Sequence, residues 1–418
     1  MAKREITQVR NSHGNLVKLN KGESLRPDGI LVYRYTASDG KRRTLSSTTI
    51  EGLREKEKEL NIDKVKGVKS HKGTYTVDKV ADEWFELKRG LREHTRHNYV
   101  WLYDQYIRDN RNFGRKQIKT ITFGDVLRYY NHLMDSKGLT ISTIDGLQTV
   151  LRQIFEYAVR AKYIDVNPTI DALKNLRRTC NTGDQKHKAL TLEEHTRFLT
   201  YVKESPTYKH WYSTFAVMVG TGMRVGELTG LTWNEVDFDK GIVNVSHTLV
   251  YYKSLDGGMT WEMNDPKTKA GKRKIVMLDS VREALEAEKN DQDENNRHCT
   301  VAVNGFTDFV FFNRFGNVQH QGTLNKALRR IIRDANMDAV EKNAKGENIV
   351  MLPKFSCHNL RTTFCTRLAE NGVSLKVAMS LMGHDDARTT MSVYTSVCED
   401  WEKRELKAVN EALKGIQL

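Results

Sequence analysis

Near the end of the chain, Phe355-Ser-Cys-His358-Asn-Leu-Arg361 is followed by Leu381-Met-Gly-His384 and Met391-Ser-Val-Tyr394. An earlier segment, Thr221-Gly-Met-Arg224-Val-Gly-Glu-Leu228, supplies a second arginine. These residue types suit one reaction, the attack of a side chain on a phosphodiester. That reaction needs a nucleophile, cations on the non-bridging oxygens, a proton donor for the leaving 5′-oxygen, and a donor or base beside the nucleophile. Tyr394 offers the nucleophile. Arg224 and Arg361 offer planar forks that meet two phosphate oxygens and keep their charge. His358 and Arg361, three residues apart on a helix, share a face.

Each residue alone has a plainer explanation. Arg224 could pair with Glu227, His384 after Gly383 could cap a helix, and Tyr394 could be one packed aromatic among 16 tyrosines. A lysine in Asp265-Pro-Lys267-Thr-Lys269-Ala-Gly271 could simply be solvated. The order and spacing of all five elements together carry the signal.

The elements that position these residues are mostly helical. Thr191-Leu-Glu-Glu194 is a capping box. Trp211 to Val219 reads as a buried helix that Gly220-Thr-Gly222 breaks, and Val225 to Gly230 restarts it, with its amides turned toward an anion. Ile242–Tyr252 and Lys272–Leu278 read as strands, with the lysine turn between them. Helices are expected over 279–289, 322–336, 358–371, 375–382, 387–396 and 401–414, with polar loops at 290–308 and 341–349. In the last of these helices, Trp401, Leu406, Val409 and Leu413 recur at helical spacing, a face that could pack on its own domain.

Upstream, residues 76–178 read as a four-helix bundle with apolar positions at helical spacing, such as Val80, Ala81, Trp84 and Leu87. Its last helix stops before Val166-Asn-Pro168. Residues 172–188 read as a basic linker carrying Lys174, Arg177 and Arg178. The first 75 residues read as a small sheet with a helix. Leu31-Val-Tyr-Arg-Tyr-Thr36 is strand-like, Asp39-Gly40 is a hairpin signal, and Lys41-Arg42-Arg43 opens the return. Arg34, Lys41, Arg42 and Arg43 are candidates for laying this sheet in a DNA groove, against the plainer reading of a solvated turn.

Charge supports a polyanionic partner. The 418 residues carry a net +14, the kind of balance that attracts nucleic acid or an anionic membrane surface. Residues 1–75 account for +8, residues 76–185 for +4 and residues 186–418 for only +2. Grip on DNA is therefore expected from the first two segments. No apolar run approaches 18 residues, which argues against a spanning chain. The five cysteines form no Cys-x-x-Cys pair, so neither a disulfide framework nor a metal site is expected.

Arg224, the lysine turn, His358-x-x-Arg361, Gly383-His384 and Tyr394 resemble the catalytic set of the tyrosine recombinases, the phage-integrase family. The first 75 residues resemble the arm-binding domain of conjugative-transposon integrases. The resemblance implies a multidomain, mainly α protein. Its parts would be an arm-type domain (1–75, a three-stranded sheet plus helix), a helical core-binding domain (76–180) and a mixed α+β catalytic domain (181–418). It implies that Tyr394 forms a 3′-phosphotyrosine bond and that Arg224 and Arg361 clamp the phosphate. His358 would stand near the nucleophile, His384 would donate to the phosphate, and Lys267, with Lys269 as the alternative, would protonate the leaving 5′-hydroxyl.

No cofactor, metal or ATP is then required. The implied partners are double-stranded DNA at core-type and arm-type sites, three further protomers in a tetramer, an excisionase and a host DNA-bending protein, in a cytoplasmic, nucleoid-associated setting. The rival expectations are a type IB topoisomerase, with a similar residue set, and a DNA-binding regulator without chemistry.

Overall fold

The computed structural model describes residues 7–36, 42–65, 75–179, 189–254, 256–266, 268–388 and 390–397, with the side chains of 63–65, 175 and 177–179 outside that description. Lys41, Lys267, the Asp39-Gly40 turn, the side chains of Arg177 and Arg178, and the segment 401–414 thus lie outside the described residues. The chain divides into two compact units, Met1–Thr182 and Gly183–Leu418.

The first unit holds two separate apolar cores. Strands β1 (Gln8–Arg10) and β2 (Leu16–Lys18) form a hairpin. Strands β3 (Glu23–Leu25), β4 (Leu31–Thr36) and β5 (Arg42–Ser47) form an antiparallel sheet in that order. Alternation along β4 stacks Tyr33 and Tyr35 on one face, 6.0 Å apart, and leaves Arg34 exposed. Helix α1 (Ile50–Val65) covers the sheet, and Val9, Leu31, Ile50 and Leu53 form the core. Arg54 reaches from α1 to Glu23 at 3.2 Å and to the Lys18 carbonyl at 2.8 Å, which pins the helix to β2 and β3.

The second core is helical: α2 (Val77–Leu87), α3 (Glu93–Tyr106), α4 (Phe123–Lys137), α5 (Ile141–Arg160) and α6 (Ala172–Thr179). Thr122 and Asp125 form a reciprocal capping box at the start of α4. Helix α6 corrects the expected linker at 172–188. Ala172, Leu173 and Leu176 are buried in the bundle core, so apolar spacing outweighs the basic composition there. Lys174 lies on the exposed side of the same helix.

In the second unit α7 (Leu192–Glu204) starts at the expected Thr191–Glu194 box. Helix α8 (Tyr212–Thr221) is buried along most of its length and packs on α10 (Asp279–Glu294) and α12 (Cys357–Glu370). A short α9 (Val225–Thr229) follows. The single strand expected at 242–252 is two. Strand β7 (Ile242–Val245) pairs with β10 (Arg273–Val276) and with β6 (Val236–Asp237), whereas β8 (Thr248–Lys253) pairs with β9 (Met259–Asn264).

The break falls at Ser246 and His247, whose side chains turn to the Glu235 carboxylate. Strand β9 went unread, although Gly257-Gly258 and the alternation of Met259, Trp261 and Met263 mark it. Two expected loops are partly helical, because α10 runs to Glu294 and α11 (Gln321–Ala344) continues past 341. Helix α13 (Leu375–Met382) ends at Gly383, and residues 390–397 are helical.

Candidate active site

Glu227 is the anchor of the site. Its side chain is 1 % exposed and it faces three arginines. Arg224 Nη1 and Arg273 Nη2 each donate to it at 2.8 Å, and Arg361 Nη1 lies 4.0 Å away. Burial alone would raise the Glu227 pKa. The hydrogen bond and charge of Arg273, with Arg224, outweigh it and hold the carboxylate below its usual range. Glu227 also accepts from the Arg224 amide at 2.8 Å, as the third residue of α9. The amides at the start of α9 were expected to meet an anion; the Arg224 amide just before it is taken by the protein's own carboxylate.

The arginines arrive by different routes. Arg224 precedes α9, and its 43 % exposed side chain also donates to the Gly383 carbonyl at 3.1 Å. Arg361 projects from α12 with its side chain 4 % exposed. It donates to the carbonyls of Gly222, at 2.6 Å, and of Met382, and from Nη2 to His384 Nε2 at 2.7 Å. Burial, with Arg224 and Arg273 nearby, pushes its pKa down to about 9, so it remains charged at neutral pH.

Gly222 makes this approach possible. Its φ is +62°, and a Cβ there would lie 2.3 Å from the Phe364 ring. Gly383 has φ +63°, and a Cβ would press on the Ala270 carbonyl at 2.9 Å.

His384 is fixed from both sides. An arginine can only donate, so Nε2 must accept and the ring proton sits on Nδ1, which faces Thr390 Oγ1 at 2.7 Å. Burial and then Arg361 lower the His384 pKa to about 4. His384 was expected to donate to a phosphate; here its Nε2 orients Arg361 and its Nδ1 holds the helical segment that bears Tyr394. His358, on α12, is exposed.

The Tyr394 hydroxyl donates to the Val373 carbonyl at 2.7 Å, and its ring packs against Phe364, Cys365 and Met382. Burial raises its pKa, with a smaller contribution from Cys365.

Arg224, Arg361 and His384 are therefore brought together directly. Tyr394 packs beside them on the Phe364 cluster with its hydroxyl on the Val373 carbonyl, and His358 is exposed on α12, where Arg361 is buried. Lys269 is exposed on the turn before β10. Sequence reasoning missed Arg273 and read Glu227 only as an ordinary partner. Alternation held the signal: Arg273 shares a strand face with buried Ile275, while Lys274 faces out.

The described charges of the cluster are three guanidiniums against one carboxylate. That net positive charge suits a phosphate diester, whose oxygens are acceptors in the fork geometry of arginine. Among the described residues no group of His, Cys, Asp and Glu could hold a metal ion, and no helix is long and apolar enough to cross a membrane.

The sequence model of the phage integrase family matches residues 188–400. The transposase from transposon Tn916 of Enterococcus faecalis is 26% identical over 415 residues, 96% of each chain. A tyrosine recombinase XerC-like protein of Caldanaerobacter subterraneus subsp. tengcongensis is 27% identical over 346 residues, 80% of this chain and 83% of the relative. The integrase of transposon Tn1549, solved in complex with a circular intermediate DNA, shares the fold with a TM-score of 0.65 at 24% identity, over 79% of this chain and 99% of that one.

Proposed function

The chain belongs to the phage integrase family and is a tyrosine recombinase, a DNA strand-transferase, and from that premise we propose how its residues cut and rejoin DNA to move a mobile element. Tyr394 attacks the scissile phosphate and becomes joined to the 3′ side. Arg224 and Arg361 hold the non-bridging oxygens. His358 serves the nucleophile, His384 holds Arg361 at the phosphate through its Nε2, and Lys267 delivers a proton to the leaving 5′-oxygen. The phosphotyrosine bond conserves the diester's energy, and a second DNA hydroxyl reverses the step.

The observation that carries this is the convergence of Arg224, Arg361 and His384 on one positively charged, Glu227-anchored cluster next to Tyr394.

The element is of the kind moved by the Tn916 relative, and both integration and excision follow from a reversible step. Residues 1–75, with a core of their own, fit an arm-type DNA domain through Arg34, Lys41, Arg42 and Arg43. Residues 76–180 fit a core-site domain, with Lys174, Arg177 and Arg178 toward DNA, and 181–418 fit the catalytic domain. Four protomers on two duplexes, an excisionase, a host DNA-bending protein and a nucleoid-associated place in the cytoplasm complete the proposal.

A nicked duplex carrying the element's end tests it. Incubation and denaturation should leave a protein–DNA adduct that is lost in Tyr394→Phe and strongly reduced in Arg361→Ala. Relaxation of supercoiled DNA lacking that end would favour a topoisomerase, and retained binding without any adduct would favour a regulator.

A further inference from the structure

We propose that Arg273 is a positioning residue for leaving-group protonation, one that seats the lysine-bearing turn on the phosphate clamp. The proposal rests on the strand-transfer reading given above. Three contacts of a single buried guanidinium carry it. Arg273 Nη1 donates to the Gly271 carbonyl at 3.2 Å, at the end of the turn. Its Nε donates to the Leu381 carbonyl at 2.6 Å, two residues before Gly383-His384. Its Nη2 donates to Glu227 at 2.8 Å, the carboxylate that also holds Arg224. With its side chain 4 % exposed, Arg273 has no direct approach to DNA. It therefore acts through what it ties together.

The packing around it is close. A Cβ on Gly271 would lie 2.4 Å from Pro266, so the two ends of the turn touch. A Cβ on Gly383 would lie 2.9 Å from the Ala270 carbonyl and 3.0 Å from Arg273 Nη1. The turn thus sits directly on the residue before His384, and Lys272 to Asp265 at 2.8 Å closes its base.

A side chain that must deliver a proton within hydrogen-bond reach loses its effect when its support shifts by about 1 Å. Lysine at 273 keeps a charge beside Glu227 but has one nitrogen and lacks the fork that spans three acceptors. The helix end, the clamp and the turn would no longer share one fixed point.

In the step concerned, the Tyr394 oxygen–phosphorus bond forms and the phosphorus–O5′ bond breaks. The tyrosine proton passes to a base near the nucleophile, and a proton from the turn's lysine passes to O5′. When sulfur replaces the bridging O5′, the leaving group departs as a thiolate, whose conjugate acid has a pKa of about 8.5. It then needs no proton from the protein. Comparison of the two leaving groups separates proton delivery from every other function of the site.

The experiment measures single-turnover adduct formation by wild type, Arg273→Ala, Arg273→Lys and Arg361→Ala on the oxygen and sulfur duplexes, with DNA affinity and melting midpoint taken in parallel. Wild-type adduct on either duplex supports the strand-transfer reading; its absence on both overturns that reading together with this one. With wild type active, Arg273→Lys is expected to be slower by about 30-fold or more on the oxygen duplex. On the sulfur duplex it should recover to within about fivefold of wild type, whereas Arg361→Ala stays slow on both. Equal losses for Arg273→Lys on the two duplexes would overturn the proposal and leave the strand-transfer reading standing. If Arg273→Ala does not fold, the lysine variant carries the comparison by itself.

Discussion

Arg361 Nη2 and His384 Nε2 are 2.7 Å apart, and the arginine is the donor. This contact sets the tautomer and the orientation of the histidine, and adds to burial in keeping the ring neutral. It also links α12 to the segment bearing Tyr394, because His384 Nδ1 meets Thr390 at 2.7 Å.

The depressed His384 pKa, about 4 against an ordinary 6.5, has a definite sign in the stability of the fold. Between those values the unfolded chain binds the proton and the native chain does not, so stability falls as pH falls. The contribution is fully present above pH 6.5 and is lost as pH approaches 4. In His384→Gln, which keeps an acceptor but does not titrate, the urea midpoint should decline less than in wild type between pH 7 and pH 4.5. Equal declines would show that another group governs this window.

Removing the Glu227 charge leaves buried guanidiniums without a counterion. Glu227→Gln should destabilise the catalytic unit by about 3–5 kcal/mol. Because the missing charge is an anion's, sulfate should raise the melting midpoint of Glu227→Gln more than that of wild type at matched ionic strength. The double variant with Arg361→Ala should lose this extra gain. An identical sulfate response in all three proteins would reduce the effect to general salting-out.

Lys267 and Lys269 make separable predictions. Lys267→Met should slow cleavage of an ordinary duplex by about 10²-fold or more, the scale of a lost general acid. Lys269→Met should stay within a few-fold. The reverse order would transfer the proton donor to Lys269 without disturbing the rest of the site.

Leu173 tests whether α6 belongs to the bundle. It is 7% exposed in the bundle core. Leu173→Ala should cost about 2–4 kcal/mol, read from urea unfolding monitored by tryptophan fluorescence. A true linker residue would change stability by no more than about 0.5 kcal/mol.

His358-x-x-Arg361, Gly383-His384, Tyr394 and Arg224 could be singled out by residue type and spacing, and the structure brings Arg224, Arg361 and His384 together. The mainly helical build was legible as well, because apolar periodicity and capping boxes such as Thr191–Glu194 are local signals. Other features were not. The basic residues of α6 disguised a helix whose burial depends on the bundle it joins. The run from Ile242 to Tyr252 looked like one strand because its propensity is continuous; only Glu235, drawing in Ser246 and His247, divides it between two sheets.

Arg273 was read only as part of the strand Lys272–Leu278, and Glu227 only as an ordinary partner of Arg224. Their burial is decided by where Leu381 and Arg361 arrive from distant parts of the chain. Sequence by itself determined which groups could do the chemistry. The tertiary structure alone decided which carboxylate holds the arginines and which way the histidine points. Desolvation and hydrogen-bond direction depend on what surrounds a group in space, not on its neighbours along the chain.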